Sequence, residues 1–273
     1  VPMKNRHEVV PTSSPEERQA ILLERINKEG RVVATAIARE LCVSEDSIRR
    51  DLKELVDARL VQRFHGGAMR LSAPVLDFRR REALDAPDKS AIGRAAAASI
   101  PNDVTIFVDS STTVLHFLRN LPPTLQVRIL TTSIDIAAAA LDHPIADVTF
   151  LGGKLNRLTR SATGALTAEA VRGVRADICV LGTCGIDENL TLRADDIEDA
   201  FLKAAMMKAA GKTLLLASHD KLGRNATYEV APISTISTLY TTTTSEPLIS
   251  RIREAGVEVV EARSKADNST GEK

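Results

Sequence analysis

Residues 31–68 read RVVATAIARELCVSEDSIRRDLKELVDARLVQRFHGGA, and this stretch decides the fold of the N-terminal part. Val33-Ala34-Thr35-Ala36-Ile37-Ala38 begins a compact apolar helix that ends near Leu41. Cys42-Val43 makes a tight turn. Ser44 then sits where its hydroxyl can accept an orphan helix-start N–H. The helix it starts, about Glu45 to Asp57, places Ile48, Leu52 and Leu55 on one face at spacings of four and three. Arg49, Arg50 and Lys53 therefore point elsewhere, towards solvent or a polyanion.

Two helices joined by a short turn, the second one basic, form a helix-turn-helix arrangement. Basic residues on a helix are usually only a solvated face, so the reading rests on three further features. The second helix opens on short polar residues (Ser44, Glu45, Asp46, Ser47), small enough to let that end enter a major groove. A strand follows at Leu60–Phe64, and His65-Gly66-Gly67 is a turn whose glycines permit positive φ. Ala68–Leu71 is the returning strand. Arg63, His65 and Arg70 then decorate a wing able to lie on phosphates, which position a protein without reading sequence. The DNA-contacting candidates are Ser44, Glu45, Ser47, Arg49, Arg50, Lys53, Arg63 and His65.

Upstream, residues 1–13 are polar, contain Pro2 and Pro11, and read as a disordered lead-in. Ser14 before Pro15 is a helix start, with a cap followed by proline at the first helical position. The helix Pro15–Glu29 turns Ile21, Leu22, Leu23 and Ile26 to the core, and Gly30 stops it. Residues 15–71 thus form a winged helix. Residues 72–88 read as a linker bounded by Pro74 and Pro87, with a short helix over Phe78–Ala86. Within it, Arg79-Arg80-Arg81 reads as a solvated face sooner than as a contact to the DNA backbone.

The texture changes at Lys89. A helix over Lys89–Ser99 is followed by candidate strands Val104–Asp109, Val127–Thr132, Asp147–Leu151, Asp177–Thr183, Thr213–Ser218, Thr235–Thr241 and Val257–Val260. Helical patterns at Thr112–Leu121, Ile134–Leu141, Gly164–Val171, Ile197–Ala210 and Glu246–Ala255 separate them. Apolar strands spaced by helices imply an α/β domain, residues 89–262, with a mainly parallel sheet covered on both faces. The tail, residues 263–273, is polar and reads as disordered.

Composition sets the outer bounds. A chain of 273 residues suits two domains, and 44% apolar with 26% charged residues suits real cores with a solvated surface. Net charge is zero, but residues 1–81 hold 16 Lys and Arg against 12 Asp and Glu. That bias fits local phosphate contact rather than wholesale coating of DNA. The few aromatic residues, with no Trp, argue against base-stacking platforms for single strands. Cys42, Cys179 and Cys184 show no metal spacing, and neither a metal nor a cofactor is expected. No apolar run reaches transmembrane length and no signal segment opens the sequence, so a cytoplasmic protein without a membrane partner is expected.

In open α/β sheets, ligands sit beyond the carboxyl ends of the strands. Four such ends carry small polar residues or glycine. Asp109-Ser110-Ser111-Thr112-Thr113 joins a strand to a helix start, where N–H groups and hydroxyls can gather round an anion. Thr131-Thr132-Ser133 does the same at the next strand. Gly152-Gly153 allows close backbone approach, and Ser218-His219-Asp220-Lys221 supplies a cation. Singly, each is more often capping, a turn or a surface lysine. Together they suit an anionic, hydroxyl-rich ligand, a sugar phosphate above all.

VSEDSIRRDLKELVDARLVQRFHGGA resembles the signature of the DeoR family of bacterial transcription regulators, and the resemblance covers roughly residues 15–262. It implies a sensor domain similar to ribose-5-phosphate isomerase and CoA-transferase folds that responds to phosphorylated sugars. The family's DSGTT run corresponds to Asp109–Thr113, its TNS to Thr131–Ser133, its double glycine to Gly152-Gly153 and its SK to Asp220-Lys221. Arg59 and Ser111 stand where the family has glycine, Thr132 where it has Asn, Asn189 where Gly precedes Leu-Thr, and Thr242 where Asp is common.

The leading expectation is a repressor of a carbohydrate-catabolism operon that binds double-stranded operator DNA under the control of a phosphorylated sugar. It is expected to work as a homo-oligomer, because paired readers double the contacted sequence. A sugar-phosphate isomerase with an appended helical domain is the competing class, with Asp109 or Asp220 as its base. A purely architectural DNA-binding protein would not need so many polar strand ends.

Overall fold

The computed structural model describes residues 14–29, 31–58, 60–64, 66–70, 78–242 and 246–263. The expected lead-in 1–13, Gly30, Arg59, His65, Leu71, residues 72–77 of the expected linker and all but the first residue of the tail lie outside them, while residues 78–88 of that linker are mainly helical and belong to the second unit. The chain forms two compact units that divide near residue 74.

In the first unit, α1 (Pro15–Glu29), α2 (Ala34–Glu40) and α3 (Glu45–Asp57) pack around Leu22, Ile26, Ile37, Ile48, Leu52 and Leu55. Ser14 caps α1 through a reciprocal pair, its hydroxyl accepting from Glu17 N–H and its own N–H donating to Glu17. The wing strands β2 (Val61–Phe64) and β3 (Gly67–Arg70) pair antiparallel. A third strand that the periodicity did not announce, β1 (Arg31–Val33), adds to β3. Three residues carry too little pattern to reveal a strand. Cys42 makes the helix–helix turn at φ 53°, a left-handed conformation that L residues adopt at a cost.

The second unit opens with α4 (Phe78–Ala83) and α5 (Ala86–Ala97). α5 begins three residues earlier than its apolar pattern suggests. Pro87 lies in its first turn, where the missing N–H has no intrahelical partner to lose. Then follow β4 (Val104–Val108), α6 (Thr112–Arg119), β5 (Val127–Thr131), α7 (Ile134–Leu141) and β6 (Asp147–Phe150). A small hairpin, β7 (Lys154–Asn156) with β8 (Ser161–Thr163), leads to α8 (Ala165–Arg172) and β9 (Ala176–Gly182). The remainder is β10 (Gly185–Ile186), β11 (Thr191–Ala194), α9 (Ile197–Lys208), β12 (Ala210–Leu216), β13 (Tyr228–Pro232), β14 (Thr238–Thr241), α10 (Glu246–Glu254) and β15 (Glu258–Glu261).

Seven strands form a parallel sheet in the order β15-β14-β12-β9-β4-β5-β6. Side chains alternate across it, as a period of two requires. Ile106 and Val108 join Ile92, Leu115 and Ile136 on one face, while Phe107, Cys179 and Leu181 meet Leu202, Met206 and Ile252 on the other. On the first face α5 lies so close to α6 that a Cβ on Gly93 would stand 2.6 Å from the Phe117 backbone nitrogen. Strand β14 starts three residues later than expected, because Ile233–Thr235 turns as a short 3₁₀ helix closed by Thr235 Oγ1 donating to the Pro232 carbonyl. The antiparallel sheet β10-β11-β13 was not foreseen either.

The strand order fixes where a ligand can sit. The chain runs from β4 outward through β5 and β6, then returns to place β9 on the other side of β4. The connections leaving β4 and β9 diverge there, and in open α/β sheets the crevice that takes a ligand lies at such a switch point, beyond the carboxyl ends of the strands.

Candidate DNA-reading helix and ligand crevice

Helix α3 is built to hold one face in and one face out. Ser44 Oγ accepts from Ser47 N–H at 3.1 Å and lies 2.8 Å from Ser47 Oγ, so these two hydroxyls fix the helix start. Ile48, Leu52 and Leu55 are buried, and Asp51 is buried with them. Asp51 is held by Arg18 of α1 through bonds of 2.7 and 3.2 Å, a forked pair that ties α3 to α1. No local pattern marks this pair, since a carboxylate between apolar positions gives no hint of a partner 33 residues upstream.

On the outer face Arg49, Arg50 and Lys53 are exposed. Arg49 is engaged by Glu45 one turn back at 2.5 Å. Arg50, Lys53 and the exposed wing residue Arg63 make no ion pair among the described residues. These three cations are available to a polyanion.

The crevice is framed by capped helix starts. Ser111 Oγ accepts from Thr113 N–H (3.2 Å) at α6, and Ser133 Oγ accepts from Ile136 N–H (3.4 Å) at α7. Thr131 Oγ1 donates to the Val108 carbonyl (2.7 Å) and accepts from Ser133 N–H (3.1 Å), locking β5 to β4. By contrast the hydroxyls of Ser110, Thr112, Thr113 and Thr132 make no hydrogen bond among the described residues, although all four residues are buried. Ser111 has φ −80°, so its Cβ brings no backbone strain where the family has glycine. The space it fills is provided by Gly182 across the switch point, where a Cβ would lie 2.1 Å from Ser111 Oγ.

A buried ionic cluster lies beneath this loop. Asp109 Oδ2 accepts from Gly182 N–H at 3.0 Å and from Lys203 Nζ of α9 at 2.5 Å. Lys203 also stands 3.6 Å from Asp199. Burial works against the Lys203 ammonium, yet the Asp109 and Asp199 carboxylates outweigh it and hold its pKa above the usual lysine value. For Asp199 burial dominates and pushes the pKa up to about 6, against the pull of Lys203.

The other expected residues take different tasks. Gly153 has no room for a Cβ, which would stand 2.0 Å from Thr167 Oγ1, so it serves packing onto α8. Gly152 is exposed, and its carbonyl accepts from Thr167 Oγ1. Lys221 Nζ pairs with Asp220 at 2.7 Å, and Ser218 Oγ donates to the same carboxyl at 2.5 Å. Burial opposes the Asp220 charge, but these contacts win and keep its pKa below the usual carboxylate range. Thr242 Oγ1 accepts from His219 N–H (3.3 Å) and lies 3.5 Å from Asp88, joining the ends of β12 and β14 to α5.

A winged helix with a basic outer face, followed in the chain by a parallel α/β unit with polar strand ends, defines a DNA-binding regulator with a sensor domain. The family models agree: residues 18–73 match the DeoR-like helix-turn-helix domain, and residues 85–243 match the DeoR C terminal sensor domain. The chain belongs to the DeoR family of transcription regulators. It is 31% identical to the HTH-type transcriptional repressor CsqR of Escherichia coli K12, over 91% of this chain and 95% of that protein. It is likewise 31% identical to the E. coli K12 glycerol-3-phosphate regulon repressor (82% of this chain, 90% of that one). The transcriptional repressor GlcR of Bacillus subtilis 168 is 30% identical over 83% and 88%. A ribose 5-phosphate isomerase from Methanocaldococcus jannaschii superposes on 49% of this chain and 53% of its own, at 16% identity and a TM-score of 0.37. Among the described residues no helix is long and apolar enough to cross a membrane.

Proposed function

We propose that the chain is a cytoplasmic repressor of a carbohydrate-catabolism operon, released from or tightened on its operator by a phosphorylated sugar held in the strand-end crevice. The observation that carries the effector half is the set of hydroxyls on Ser110, Thr112, Thr113 and Thr132 at the switch point, which make no hydrogen bond among the described residues and stay open to solvent although the rest of each residue is buried. Hydroxyls that are accessible and uncommitted can donate to and accept from a ligand rich in oxygen. The start of α6 beside them favours its negative end. Asp109, Ser111, Thr131 and Ser133 frame the site, Gly152 and Gly153 border it, and Lys221 adds charge at its rim.

Arg50, Lys53 and Arg63 supply contacts to operator DNA, with Arg49, Glu45, Ser44, Ser47 and His65 completing the reader. The repressor names of the relatives favour regulation over catalysis. An isomerase would need a carboxylate with a raised pKa beside the substrate carbon. Asp109 is instead tied to Lys203 and Gly182, Asp220 is held ionised, and Asp199, whose pKa is raised, is buried beneath the loop against Lys203.

Calorimetry of the full chain against hexose, pentose and triose phosphates tests the reading. One of them binds, and Lys221→Ala weakens it by about 1.5–3 kcal/mol, the worth of a charge-assisted contact. Turnover of a pentose phosphate, or no binding at all, would contradict it.

A further inference from the structure

The chain enters the second unit at α4, and both ends of that short helix are fastened to elements that border the crevice. At its start, Phe78 is fully buried and its N–H donates to the Leu158 carbonyl at the tip of the β7–β8 hairpin, at 3.1 Å. The hairpin is in turn bonded to the loop after β5. Ala162 N–H donates to the Thr132 carbonyl (2.7 Å), and Ile134 N–H to the Arg160 carbonyl (3.0 Å). At its end, the buried Lys89 ammonium donates to the carbonyls of Arg81 and Leu84. Lys89 also lies within the electrostatic reach of Asp220 and Lys221.

Between these two ties stands Arg81. Its Nε is buried and has no hydrogen-bond acceptor among the described residues, an uncommon condition for a guanidinium. The Lys89 tie holds its carbonyl to the first turns of α5, where Asp88 lies 3.5 Å from both His219 Nδ1 and Thr242 Oγ1 at the strand ends, so this end of α4 reaches the rim of the crevice. Arg79, two residues earlier, is exposed, and Glu82 is taken by Arg119 at 2.7 Å. The guanidinium lies over the Phe78 ring, 5.8 Å from its centroid, on a helix tied at both ends, and with a donor lacking an acceptor it matches a tetrahedral oxyanion.

We propose that Arg81 is an anion ligand of the crevice, donating to the phosphate of the bound sugar phosphate and so tying α4 to the effector. The proposal rests on the reading of the crevice as the effector site. It also gives the ligand a route to regulation. The element that receives the chain from the DNA-reading unit would be ordered differently with and without the phosphate, which is the differential interaction that allosteric control requires.

The test uses the full chain, titrated in a calorimeter with glycerol 3-phosphate, glucose 6-phosphate, fructose 6-phosphate and ribose 5-phosphate. For whichever compound binds, Arg81→Ala is expected to weaken binding about 10- to 100-fold, the cost of a lost charge-assisted contact. Arg79→Ala should bind as the wild type does, and Arg81→Lys should fall between. The pH profile separates a ligand from a mere support of the fold. Wild-type affinity should drop as the phosphate gains its second proton near pH 6, and this drop should flatten in Arg81→Ala. If Arg81→Ala fails to fold, Arg81→Gln takes its place with the same expectation. Wild-type affinity in a folded Arg81→Ala or Arg81→Gln overturns the proposal and leaves the crevice reading standing. If the wild type binds none of the four compounds, both fall together.

Discussion

Arg49 and Arg50 are neighbours in sequence with different prospects on DNA. Arg49 already has Glu45 for a partner, whereas Arg50 is exposed and unpaired among the described residues. Arg50→Ala should therefore weaken operator binding more than Arg49→Ala. A contact to a guanine edge would cost about 1–3 kcal/mol at that base, and a phosphate contact would weaken all sequences alike with a shallower salt dependence. Mobility shifts on several operator variants decide it, and wild-type binding in both variants would contradict the docking of α3. Asp199 yields a second residue-scale prediction. The folded protein keeps this proton to about pH 6, while an unfolded Asp releases it near the usual 3.8. The folded state binds the extra proton, so its stability falls as pH rises through that window. Asp199→Asn should gain stability relative to the wild type from pH 4 to above pH 6, read by thermal melts; an offset independent of pH would contradict the burial of the charge. Neither Asp199 nor Lys203 could be singled out from sequence, because Lys203 meets Asp109 across 94 positions and no local pattern marks it. Arg81 was visible only as one of three arginines.

Elements were legible where their own chemistry encoded them. Helices Pro15–Glu29, Glu45–Asp57 and Ile134–Leu141 have the bounds that their caps and apolar spacing suggest. The central strands β4, β5 and β9 agree to within a residue, since an apolar run ending in small polar residues is a strong signal. Strands β1, β7, β8, β10, β11 and β13 were not legible. They are two to five residues long, and their existence depends on partners supplied by the rest of the fold. The glycines carry the other element-scale lesson. Gly182 reads as an ordinary position within the strand expected over Asp177–Thr183, yet it is required by Ser111 on the neighbouring connection. Gly182→Ala should cost about 1–3 kcal/mol through overpacking and should also weaken effector binding by displacing the loop. Equal effector affinity in a folded Gly182→Ala would show that the Ser111 loop takes no part in the site. Gly93→Ala, which clashes with the backbone of α6, should lower stability comparably without that specific effect.

At the scale of the whole molecule, the two units carry separate tasks that one ligand must couple. An isolated winged helix reads a short site, and a genome offers many chance matches. We expect a dimer or a higher even-numbered oligomer, assembled mostly through the α/β unit, so that paired readers meet two half-sites. Light scattering of the full chain at micromolar concentration tests it; a monomer with undiminished specific binding would contradict it. The central claim is that a phosphorylated sugar in the strand-end crevice changes operator affinity. The most direct measurement is the affinity of the full chain for DNA from the promoter of its neighbouring genes, titrated with each sugar phosphate that binds. The account predicts a shift of about 5- to 150-fold, the usual range of allosteric coupling, abolished when the crevice is disabled by Thr132→Val together with Lys221→Ala. Identical operator affinity with and without a bound sugar phosphate would contradict it.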